Sequence, residues 1–155
     1  MKISEASDFF RTLITETNSK SELKVYQRFI NILMNLNNRD LSEQHLNSIE
    51  NKLDSLNLSA NSEYRKKYLK SKLTEFTNYL KKEFSLITEG YYTGIGMIYG
   101  MMFGSGIGLT FGSSFGDGTG TAIGMMIGTG LGMVLGMMIG AAKDSEAKKQ
   151  NRVLK

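Results

Sequence analysis

Four consecutive dodecapeptides decide the reading of this chain: GIGMIYGMMFGS (94–105), GIGLTFGSSFGD (106–117), GTGTAIGMMIGT (118–129) and GLGMVLGMMIGA (130–141). Each follows the pattern G-x-G-x-x-x-G-x-x-x-G-x. Glycine therefore recurs at every fourth position without a miss, at Gly96, Gly100, Gly104, Gly108, Gly112, Gly116, Gly120, Gly124, Gly128, Gly132, Gly136 and Gly140. Gly94, Gly106, Gly118 and Gly130 stand twelve residues apart. Internal repetition of this regularity marks an architectural unit.

In water such a ladder destabilises a helix, because each interior glycine costs about 1 kcal/mol relative to alanine. In lipid there is little hydrophobic force between helices, and glycine lets two backbones approach closely enough to pack. The intervening residues are Met, Ile, Leu, Val, Phe, Thr and Ser, which suit lipid or a neighbouring helix. A strand reading places every glycine on one face, but Ile98, Met102, Met126 and Met138 share the even positions and spoil the alternation. A dinucleotide-binding reading needs a strand before the glycines and an acid after them, and neither is present.

About twenty residues span the hydrocarbon core, so fifty apolar residues make two crossings. The polar patch Ser113 to Thr119 lies at the centre, and Asp117-Gly118 is a turn signal. The expected transmembrane helices are residues 91–114 and 120–142, with the turn near 115–119. Tyr91, Tyr92 and Tyr99 lie where interfacial aromatics belong. On a straight helix a four-residue row drifts about 40° per step. The row is then expected to sweep round each helix, and Gly106, roughly 200° from Gly104, adds surface on the opposite side. Each helix is thus expected to offer close-packing surface both to its hairpin partner and to a neighbouring subunit, hence a homo-oligomer.

Outside the ladder the composition inverts. The first eighty-nine residues contain no glycine, while no Lys or Arg lies between Lys82 and Lys143. The overall mean hydropathy of −0.22 averages two unlike halves. The net charge of +4 comes from clusters flanking the apolar window: Arg65, Lys66, Lys67, Lys70, Lys72, Lys81 and Lys82 before it, and Lys143, Lys148, Lys149, Arg152 and Lys155 after it. That placement follows the positive-inside rule and puts both termini in the cytoplasm. No recognition motif or aromatic interleaving accompanies the charge, so nucleic acid is not an expected partner. The N-terminus has no apolar run after its single lysine, and no cleavable signal peptide is expected.

Residues 1–89 read as a soluble helical domain, 90–142 as the hairpin and 143–155 as a basic tail; the fold class is all-α. Apolar spacing predicts helices over about 5–17 and 21–37. A third, capped by Asp40 with Glu43 three residues on, carries Leu46, Ile49, Leu53 and Leu56 on one face. A fourth starts near Ser62 and carries the stripe Leu69, Leu73, Phe76, Leu80, Phe84 and Ile87. Without proline it is expected to run unbroken towards Gly90 as a stiff link to the membrane. A small four-helix bundle is the simplest way to bury these stripes. His45 is the only histidine and sits among polar neighbours, and there is no cysteine. No metal site, cofactor or catalytic constellation is expected, hence no enzyme.

The ladder resembles the glycine-zipper two-transmembrane families of bacterial membrane proteins, and the zipper segments of pore-forming toxins and mechanosensitive channels. The likeness covers Gly90 to Gly140. It implies a bacterial inner-membrane protein whose helices pack through glycine, often as a homo-oligomer and sometimes around a pore. Two functions follow as expectations. One is an oligomeric channel or pore-forming effector regulated by the helical domain, with Thr93, Ser105, Thr110, Ser113, Ser114, Thr119, Thr121 and Thr129 available to line a weakly polar path. The other is an anchor or multimerising adaptor whose N-terminal domain binds a protein partner.

Overall fold

A computed structural model describes residues 1–60, 65–114 and 118–154. Among the described residues the chain forms six helices and one short pair of strands. It divides into two compact units, Met1–Ile87 joined by Leu154, and Thr88–Val153.

The first unit is a bundle of α1 (Ile3–Glu16), α2 (Lys20–Asn37), α3 (Glu43–Ser55) and α4 (Arg65–Phe84). Helix α1 packs on α2 and α3, and α4 packs on the same two. The core follows the apolar spacing of the sequence: Phe10, Phe29, Leu33, Ile49, Leu53, Leu69, Phe76 and Leu80 are buried. Phe10 stacks on Phe29 with centroids 4.2 Å apart, and Phe9 meets Phe10 edge-on. Polar ties join α3 to α4, where Lys52 Nζ lies 2.6 Å from Glu75 Oε1 and Ser48 shares a 2.6 Å hydrogen bond with the Tyr79 hydroxyl. Leu154 completes the same core.

Two expectations need correcting here. The cap of α3 is Ser42, not Asp40: its hydroxyl accepts from the His45 backbone N–H, and Glu43 is the first helical residue. The fourth helix does not run unbroken to Gly90. It ends at Phe84, and Ser85 turns to a positive φ of 54°. Ile87–Thr88 then becomes a strand, β1, paired with β2 (Val153–Leu154). The left-handed turn at Ser85 takes the chain out of the helix, and Ile87 is buried from the strand. The expected start near Ser62 lies outside the described residues.

The second unit is an antiparallel pair of long helices, α5 (Tyr91–Ser113) and α6 (Gly118–Lys149). Both are long and apolar enough to cross a membrane. Gly90 precedes α5 with φ +73°, a conformation that glycine adopts freely. Helix α6 continues past residue 142, since Ala141 to Lys149 contains no glycine or proline and is rich in good helix formers. Residues 143–149, set apart above as tail, are therefore helix.

Candidate functional site

The unit's most distinctive surface is the seam between α5 and α6. A Cβ built on Gly96 falls on the carbonyl oxygen of Gly136, and one built on Gly136 falls on that of Gly96. The same reciprocal relation joins Gly100 to Gly132, Gly104 to Gly128 and Gly108 to Gly124. Gly112 meets Gly120, and Gly140 meets the backbone of Tyr92. In every pair the residue numbers add to 232, so one antiparallel register runs the length of the hairpin. Any side chain here would strike backbone, which cannot swing aside as a flexible side chain can.

The row does not sweep away from the partner as a straight helix would require. A contact period of four residues exceeds the helical 3.6, so it stays on the seam only if the two helices wrap around each other in a right-handed sense. Among the described residues the four-spaced glycines are thus taken up inside the hairpin. Within the ladder, those that face open space belong to the twelve-residue series: nothing lies within 4 Å of a Cβ at Gly94, Gly106, Gly118 or Gly130. Gly118 is the first residue of α6; Gly116 and Asp117 lie outside the described residues.

The two flanks of the seam differ. On one side Met97, Met101, Met133 and Met137, each one position after a contact glycine, are half-buried and cover the seam. Residues three positions after, on the other side, are Tyr99, Phe103 and Ile107 on α5 and Leu131, Leu135 and Ile139 on α6. They wall an open groove of about 480 Å³ whose floor is bare glycine.

The open end of the hairpin carries a residue that sequence reasoning missed. Asp144 on α6 is only 6% exposed. The backbone N–H groups of Tyr92 and Thr93 donate to its carboxylate at 3.0 and 2.9 Å, and the Thr93 hydroxyl donates at 2.6 Å. It caps the start of α5, where Gly90 has no side chain to do so. The signal was present in the ladder, since the next two rungs after Gly140 are Asp144 and Lys148. Lys148 Nζ lies 2.7 Å from Glu89 Oε1, and Lys143 Nζ sits 6.0 Å from the Tyr92 ring centroid.

Of the hydroxyls named for a polar path, Thr93 is taken by Asp144 across the hairpin, and Ser105, Thr110, Ser113, Ser114 and Thr129 are turned to their own helix. Ser105 donates to Met102 O at 3.0 Å, Thr110 to Gly106 O at 3.0 Å, and Ser113 to Thr110 O at 2.9 Å. Thr129 donates to Met125 O at 2.7 Å. Such groups can face hydrocarbon without an outside partner for the proton. His45 lies edge-on to Phe84, centroids 5.1 Å apart, and the described residues hold no group of three or more potential metal ligands. No family model matches the chain, and neither a curated protein nor a solved structure does.

Proposed function

We propose that this chain is a two-span membrane protein whose glycine-zipper hairpin anchors the N-terminal helical bundle at the cytoplasmic face, where the bundle binds a protein partner. The observation that carries the reading is an inversion of side-chain size. In α5 and α6 the smallest residues fill the contact between helices, while Phe103 (71% exposed), Phe111 (70%) and Met126 (75%) point outward. In water the large apolar side chains would be turned inward. In lipid nothing is lost by leaving them outside, and close backbone packing holds the pair. Basic residues on both flanks of the apolar window favour the cytoplasm for both ends.

The anchor is preferred to a pore for two reasons. The glycine row that suggested packing between subunits is used within one chain, and the hydroxyls of Ser105, Thr110, Ser113 and Thr129 donate to carbonyls of their own helix. The break at Ser85 also removes the stiff helical link that gating through α4 would use. A second reading, a homo-oligomeric pore, is favoured by Gly94, Gly106 and Gly130, whose open surface remains for another copy. Purified protein in dye-loaded vesicles distinguishes the two. The anchor predicts vesicles as tight as protein-free controls, and leakage that rises steeply with protein density overturns it for the pore.

A further inference from the structure

We propose that the open groove beside the seam holds one acyl chain of an anionic phospholipid, with Lys143 receiving the headgroup phosphate. The inference rests on the membrane-spanning reading and adds a ligand to it.

The groove lies between Tyr99, Phe103 and Ile107 on one wall and Leu131, Leu135 and Ile139 on the other. Its lining on α5 runs from Gly96 to Ile107, a rise of about 17 Å. That is close to one leaflet, about half of a 30 Å hydrocarbon core. A volume of about 480 Å³ over that length is a cross-section of about 28 Å². A helix with its side chains, about 10 Å across, needs about 80 Å² and would ride on the rims, leaving the glycine floor bare. An unbranched hydrocarbon chain reaches the floor.

The charge at the mouth selects the lipid. Continuing the α6 wall by one four-residue step from Ile139 reaches Lys143, at the aqueous end of the apolar window. Its side chain is exposed and leans over the Tyr92 ring, towards α5. Among the described residues Lys143 makes no ion pair, whereas Lys148, further along α6, is held by Glu89. A lysine at this depth, with an aromatic ring beside it, suits a phosphate at the headgroup level.

The test uses the full chain in phosphatidylcholine vesicles containing phosphatidylglycerol, with a trace of phosphatidylglycerol carrying a photoactivatable diazirine in mid-chain. Resistance to alkaline extraction is measured first; release of the chain overturns the spanning reading, and the lipid site with it. In the inserted protein, adducts are expected to concentrate on Phe103 and Leu135, severalfold above the outward residues Met102 and Met126. Lys143→Gln should lower phosphatidylglycerol labelling about fivefold and leave labelling by a phosphatidylcholine probe unchanged. Leu135→Trp, which fills the groove, should lower both. Uniform labelling around the hairpin, or labelling indifferent to Lys143, overturns the proposal. So does efficient copy-to-copy disulfide formation through Phe103→Cys in the otherwise cysteine-free chain, which would place a second chain in the groove.

Discussion

The bundle and the hairpin solve the same packing problem with opposite residues. In the bundle Phe10, Phe29 and Phe76 lie at 0% exposure and charge lies outside. In the hairpin glycine lies inside, and phenylalanine, methionine and isoleucine lie outside. The hydrophobic effect orders the first, because water penalises exposed apolar area. It cannot order the second if lipid is the surroundings, and there shape alone decides what faces the partner. The contrast teaches that the identity of the core residues reports the solvent as much as the fold.

The largest effect is expected from putting size where the hairpin has none. Gly104→Leu should force α5 and α6 from backbone contact towards the roughly 8–10 Å axial separation of ordinary helix pairs. Membrane insertion should persist, because hydrophobicity rises. Distances between paired spin labels on outward positions read the change, and a wild-type distribution would mean the seam does not need glycine. The same chemical deletion should then behave differently in the two regions. Phe29→Ala should cost the bundle about 3–5 kcal/mol. Phe103→Ala should leave the hairpin within about 0.5 kcal/mol. Denaturation followed separately in each region checks both, and equal costs would erase the contrast.

Smaller effects sharpen it at the edges. Asp144→Ala leaves two backbone N–H groups at the start of α5 without their acceptor, a loss of about 1–2 kcal/mol of the kind measured for helix caps. Amide exchange at Tyr92 and Thr93 should accelerate while exchange deeper in α5 does not.

The smallest effect lies on the surface of the bundle. Hydrogen bonds from Lys52, and then from Lys72, hold the Glu75 carboxyl below its ordinary range. A lowered folded-state value stabilises the fold at pH above the unfolded glutamate value of about 4.3. The contribution disappears as pH falls through the still lower folded value. With Glu75 half-exposed, the Lys52 pair contributes under about 1 kcal/mol. Glu75→Gln should therefore lower the unfolding midpoint slightly at pH 7 and not at all near pH 2. A gap that persists in acid would assign the effect to packing.

Much of this was legible before any coordinates. The stripes Ile49-Leu53 and Leu69-Leu73-Phe76-Leu80 became core because each spacing keeps one face of a helix apolar. The hairpin and its two long apolar helices followed from ladder length and the central polar patch. What escaped depended on contacts between distant residues or on local competition. Asp144 looked like one charge in a tail until α6 placed it against the N-terminus of α5, fifty residues away. The Ser85 break was invisible because the apolar stripe continues through Ile87, which is buried from a strand and not from a helix. A straight helix would carry the glycine row off the seam, whereas the wrapped pair keeps it there.

The central claim is that α5 and α6 cross a bilayer and return the chain to the side it came from. Since the chain has no cysteine, single replacements at Ser114, at the end of α5, and Gln150, just beyond α6, give two clean reporters. With intact cells and a membrane-impermeant maleimide, Ser114→Cys should be labelled from outside, while Gln150→Cys should react only after the membrane is opened. Labelling of both from outside, or of neither until lysis, would contradict the account.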